Sequence, residues 1–121
     1  MSDKQSRESR PAVLEPILGS VSSERVLIYI VARGEGYARE IARFFRADPD
    51  SIQKQLAKLE SSGVLVSKEA GRTVVYEFNP RYAFLPELKR LLEKALSFYP
   101  ENELERLTMN RRRPRRRGKP S

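Results

Sequence analysis

The chain has 121 residues with no cysteine and no histidine, which excludes a disulfide framework, Cys/His zinc sites, thiolate metal sensing and any His-based catalytic triad. Its formal net charge is +8, yet residues 111–121 ("RRRPRRRGKPS") hold seven basic and no acidic groups, against fourteen basic and thirteen acidic in residues 21–110 and three of each in residues 1–20. The high pI thus belongs to the tail and charge alone marks no nucleic-acid surface on the body, while the lack of a ~18–20-residue apolar run or a signal-peptide core leads us to expect a cytoplasmic protein.

Residues 1–11 are polar and charged and are expected to form a disordered arm. "PAVLEPILG" is a short apolar lead-in with two prolines, suited to a turn of helix or an extended segment. "SVSSERVLIYIVARGEG" predicts a first helix, with an N-cap among Ser20–Ser23 and a stop at Gly34 and Gly36. Val26, Leu27, Ile28, Ile30 and Val31 leave it little polar circumference, so it is buried on more than one side. Either it sits centrally in the domain, or part of it, Ile28 included, meets a second subunit.

"YAREIARFFRA" predicts a second helix. Ala38, Ile41, Ala42 and Phe45 share one face, and Arg39, Arg43 and Arg46 point elsewhere. A third helix follows after a short turn, over about 49–62. Asp48 is its N-cap, Pro49 suits its first position, Asp50 favours its positive end and Gly63 stops it. Val64–Val66 then reads as a short strand, "SKEAGR" as a hairpin loop with Gly71 at positive φ, and "TVVYEF" as a strand with Val74, Tyr76 and Phe78 on one side. "RYAFLPELKRLLEKALSFYP" predicts a long helix with Pro86 in its first turn. One stripe runs Leu85, Leu88, Leu92, Leu96, Tyr99, and a second, Leu91, Ala95, Phe98, lies beside it. Two stripes exceed what a small domain needs on one side, so the second is assigned with Ile28 to a dimer interface. "ENELERLTMN" adds a short helical extension over 100–110.

The expected fold is mainly α with a small β-hairpin: a winged helix-turn-helix over residues 12–99 with an additional C-terminal helix. About 85–90 folded residues bury little enough surface that dimerisation is a natural support.

"REIARFF", "DPDSIQKQLAKLESSGVLV" and "GRTVVYEFNP" together resemble the ArsR-like winged helix-turn-helix regulators over roughly two-thirds of the chain. The resemblance implies a homodimeric regulator that reads duplex DNA. Two departures stand out. Arg46 occupies a position where the group usually has Gly, and the group's Cys/His metal-sensing residues are missing, so metal sensing is not carried over. "NPRYAFLPELKRLL" also resembles winged-helix modules that precede nucleotidyltransferase domains.

On a helical wheel Ile52, Leu56 and Leu59 of the third helix fall within about 60° of one another and face inward. Asp50, Lys54, Ala57 and Ser61, flanked by Gln53 and Lys58, face away. Gln53 can pair with an adenine edge, Lys54 with guanine or a phosphate, and Ser51 with a phosphate at the helix start. Asp50 either stabilises the helix start or accepts from cytosine. Arg39 and Arg43 are candidate phosphate contacts, and Lys68 and Arg72 belong to a wing over 67–73 that reaches flanking DNA. Any exposed helix shows such residues to water, so their weight comes from their setting. The tail adds non-specific affinity for nucleic acid, with RNA or an acidic protein as its alternative partner. A protein-interaction adaptor is the competing class. No nucleophile–base pair, phosphate loop or metal cluster is present, so neither enzyme activity nor a cofactor is expected.

Overall fold

A computed structural model of the chain describes residues 13–108. The expected disordered arm (1–11) and basic tail (111–121) lie outside the described residues. The elements in order are α1 (Glu15–Leu18), α2 (Val21–Arg33), α3 (Ala38–Phe45), α4 (Pro49–Ser61), β1 (Leu65–Ala70), β2 (Thr73–Phe78) and α5 (Leu85–Leu96). A further helix, α6, covers residues 101–108. The described residues are therefore mainly helical, with one antiparallel two-stranded hairpin. None of their helices is long and apolar enough to cross a membrane.

The helix ends follow local chemistry. Ser20 caps α2 by accepting from the Ser23 N–H, and Asp48 caps α4 by accepting from the Asp50 N–H. α4 ends in a Schellman motif: Val64 N–H donates to the Leu59 carbonyl at 2.9 Å and Gly63 N–H to Glu60 at 3.0 Å. Gly63, at φ 88°, occupies the left-handed position this motif needs. α3 ends the same way, with Ala47 N–H on Ala42 and Arg46 N–H on Arg43, but here Arg46 takes the left-handed position at φ 56° and ψ 44°. It is the one non-glycine residue at positive φ among those described.

α2 is the central element. It touches α1, α3, α4, α5 and β2, and Val26, Ile28 and Ile30 have no exposed surface. Its apolar circumference is thus satisfied within one chain. Ile28, assigned from sequence to a dimer interface, is a core residue with nothing to offer a second copy. Ala95 is likewise turned inward at 4% exposure, whereas Leu91 and Phe98 of the same predicted stripe are exposed at 38% and 64%. The first predicted stripe does face the body: on α5 Leu92 is buried and Leu88 and Leu96 pack against the core, and Tyr99 is buried in the turn just beyond the helix. α6 is an integral part of that core, because Leu107 is fully buried in it.

Two polar anchors, one fully buried and one partly buried, join distant segments. Glu24 on α2 has no exposed surface. Its carboxylate accepts from the Leu14 N–H at 2.7 Å and from the Tyr99 hydroxyl at 2.9 Å, tying the N-terminal lead-in to the turn that follows α5. Burial raises the Glu24 pKa above its ordinary range, and these hydrogen bonds oppose that rise. Burial, and then the Glu24 carboxylate, raises the pKa of Tyr99 as well. The second anchor is Arg33 at the end of α2. Its guanidinium donates to the carbonyls of Leu107 at 2.9 Å and Arg106 at 3.1 Å and to the Tyr29 hydroxyl at 2.8 Å. It holds the last turn of α6 where a helix's negative end favours a cation.

The hairpin differs from expectation in two ways. The strands run on to Ala70 and resume at Thr73, so the loop is only Gly71–Arg72 rather than the six residues of "SKEAGR". Gly71, at φ 67°, stands where a type II′ turn takes glycine. β2 does not simply alternate: Val75 and Tyr76 are both buried, at 6% each. Tyr76 exchanges both backbone hydrogen bonds with Gly36, at 3.0 and 2.8 Å, so the α2–α3 connection flanks β2 on the side away from β1. Val75 lines a cavity of about 200 Å³ with Tyr29, Gly36 and Glu40.

Candidate nucleic-acid interface

α3 and α4 pack directly on each other and are joined by residues 46–48 alone. The inner face of α4 is fixed by Ile52 and Leu56, both at 0% exposure, and by Gln55, whose carbonyl accepts from the Ser23 hydroxyl at 2.6 Å. The outer face consists of Asp50, Gln53, Lys54, Ala57, Lys58 and Ser61, all exposed. The division expected from the wheel is therefore present. A flat polar face with a small residue, Ala57, at its middle lets a backbone approach closely.

Gln53 is exposed but oriented. Its side-chain amide donates to the Tyr76 hydroxyl on β2 at 3.2 Å. One amide N–H is thereby used, leaving the second N–H and the carbonyl oxygen, which is the donor–acceptor pair an adenine edge requires. Lys54 and Lys58 form no ion pair with another described residue, so both ammonium groups face solvent.

The start of α4 is less suited to a phosphate than its position implies. The Ser51 hydroxyl donates to Asp48 at 3.2 Å, and Asp48 also holds the Asp50 N–H at 3.3 Å. Ser51 thus belongs to the cap, and two carboxylates, Asp48 and Asp50, stand at this end. Asp50 is exposed in the first turn, where a carboxylate favours the helix dipole.

On α3, Arg39 and Arg43 are exposed and, like Arg46, have no acidic partner within 4 Å among the described residues. Arg72 sits at the hairpin tip. Lys68 does not. It lies inside β1 opposite Val75, and its ammonium group is shared by Glu35 and Glu77, each at 3.6 Å. These carboxylates offset its charge, so Lys68 is a weak phosphate ligand compared with Arg72.

Sequence reasoning missed Tyr76 and Arg33. Tyr76 reads as one more aromatic in a strand, but its backbone secures the α2–α3 connection and its hydroxyl orients Gln53. Arg33 reads as a helix-end cation. It fixes α6 so that the Arg106 guanidinium lies 4.4 Å over the Phe44 ring of α3. The end of α6 is thereby docked beside α3.

Among the described residues no group of three or more acidic side chains could hold a metal ion. No protein-family model matches the chain, and no curated protein is detectably similar to it.

Proposed function

We propose that this protein is a sequence-specific DNA-binding regulator, acting as a homodimer through a winged helix-turn-helix. The described architecture is compatible with that fold: α3 and α4 form the helix-turn-helix, and the β1–β2 hairpin follows as the wing. The observation that carries the reading is the combination on α4 of a fully buried inner face and an exposed outer face whose Gln53 is held in place from β2. In this reading α4 enters the major groove with Gln53 and Lys54 at base edges. Lys58, Arg39 and Arg43 meet phosphates, and Arg72 reaches the flanking minor groove. Two copies would present their α4 helices to successive major grooves about 34 Å apart.

Selection of bound duplexes from a random pool tests this directly. The full-length protein is expected to enrich one near-palindromic sequence, and a chain ending at Asn110 to enrich the same one more weakly. Combined Gln53→Ala and Lys54→Ala is expected to remove about 2–5 kcal/mol of the preference while leaving non-specific binding largely intact. Enrichment that depends on residues 111–121 and ignores the α4 variant would replace this reading with non-specific binding by the tail.

A further inference from the structure

The cavity of about 200 Å³ lies where the α2–α3 connection meets β2. Tyr29, Tyr37 and Val75 give it aromatic and apolar surface, and its charged side chains are the Glu35 and Glu40 carboxylates and the Arg33 guanidinium. The guanidinium is committed elsewhere. Its Nε and Nη2 donate to the Leu107 and Arg106 carbonyls, its Nη1 donates to the Tyr29 hydroxyl, and it lies 4.8 Å over the Tyr29 ring. An anion would have to break these contacts to gain a bidentate pair with Arg33.

The carboxylates are placed differently. Their cationic neighbours, Lys68 at 3.6 Å from Glu35 and Arg33 at 4.0 Å from Glu40, are too far away to donate hydrogen bonds. Glu40 faces the Tyr29 hydroxyl, and no described residue donates a hydrogen bond to Glu35. An ionised carboxylate offers about four acceptor positions, so most of those on this wall are not taken up by the protein. Lys68 has a second carboxylate, Glu77, also at 3.6 Å, and keeps a partner when Glu35 turns to a ligand.

We propose that this cavity binds a small organic cation through its primary ammonium group, with Glu35 and Glu40 accepting from the ammonium and Tyr37 and Val75 covering the apolar part. The three N–H donors of an ammonium match an acceptor-rich wall, and tyrosine ring faces favour a cation as well. A cavity of about 150 Å³ accommodates benzene, which sets the size of the occupant. The wall is also joined to the outer face of α4. Gly36, which lines the cavity, exchanges both backbone hydrogen bonds with Tyr76, and the Tyr76 hydroxyl accepts from Gln53. Occupancy is therefore felt at the Gln53 side chain.

Titration of n-butylammonium into the isotope-labelled full chain near neutral pH, followed by NMR, tests both statements. Saturable binding with a Kd of about 1 mM is expected, with shifts at the backbone amides of Gly36, Tyr37 and Val75 and at the side-chain amide of Gln53. Butan-1-ol lacks the charge, butyrate inverts it and inorganic ammonium lacks the apolar part, so each is expected to bind there at least about 10-fold more weakly. Glu35→Gln and Glu40→Gln are each expected to weaken n-butylammonium about 10-fold. Their side chains are 52% and 33% exposed, so circular dichroism should match the parent. Shifts confined to other parts of the chain, any of the three control compounds binding as tightly, or unchanged affinity in both variants would overturn the site. Binding that leaves the Gln53 amide unmoved would overturn its link to α4. No DNA is present in these measurements, so their outcome is separate from whether α4 reads a duplex.

Discussion

Replacing Glu24 should separate the value of its hydrogen bonds from the cost of its charge. The carboxylate is fully buried and accepts from the Leu14 N–H and the Tyr99 hydroxyl. Glu24→Leu leaves both donors without a partner, at about 1–3 kcal/mol each, and relieves part of the desolvation cost of the carboxylate, for a net loss of about 2–4 kcal/mol. Glu24→Gln keeps the shape, with its carbonyl accepting from Leu14 and its amide donating to the Tyr99 oxygen, so its cost at neutral pH is expected below about 1 kcal/mol. The pH dependence follows from the direction of the shift. Burial raises the folded-state pKa above the ordinary 4.5, so the folded protein retains a proton that the unfolded chain has released. The Glu24 contribution is therefore greatest below that ordinary value and declines as pH rises towards the folded-state value. Urea denaturation from pH 4 to 8 should show the Gln variant gaining on the parent as pH rises. Equal stabilities for the Leu and Gln variants within about 0.5 kcal/mol would refute the argument, since that agreement would mean the two hydrogen bonds contribute nothing net.

Two backbone positions give further tests by the same denaturation assay. Arg46→Gly removes a side chain from a left-handed residue at φ 56° and is expected to stabilise the domain by about 0.5–1 kcal/mol, after allowing for the greater freedom of glycine in the unfolded chain. Gly36→Ala should destabilise by about 1–3 kcal/mol. The added Cβ would stand 2.9 Å from the Tyr29 ring and 3.1 Å from Ile41, and a shift of the segment would strain the paired hydrogen bonds to Tyr76.

The helices were legible because their signals are local. Asp48, Pro49 and Gly63 bracket α4, and the spacing of Ile52, Leu56 and Leu59 orients it without reference to the rest of the molecule. Arg46 shows that a helix stop need not carry its usual signal: the chain makes a left-handed turn there without a glycine. What stayed hidden depends on contacts across the chain. Glu24 reads as an acid in the first turn of a helix, and only the arrival of residues 14 and 99 makes it a buried joint. Ile28 was ambiguous because an apolar circumference records burial and not what supplies it. Lys68 was misplaced because a two-residue loop and a six-residue loop begin with the same polar residues, and the ladder from Leu65 to Ala70 decides between them.

Tyr76 joins three parts of the molecule: its backbone holds Gly36 before α3, its strand carries the hairpin, and its hydroxyl holds Gln53 on α4. The hairpin and the outer face of α4 are therefore set at a fixed angle before any partner arrives. In the proposed DNA-binding role such a domain would dock with less side-chain and loop ordering left to oppose association. If α4 reads DNA as proposed, discrimination would reside in how well a duplex fits that angle, so base changes that alter groove width would weaken binding even where no side chain reaches the altered pair.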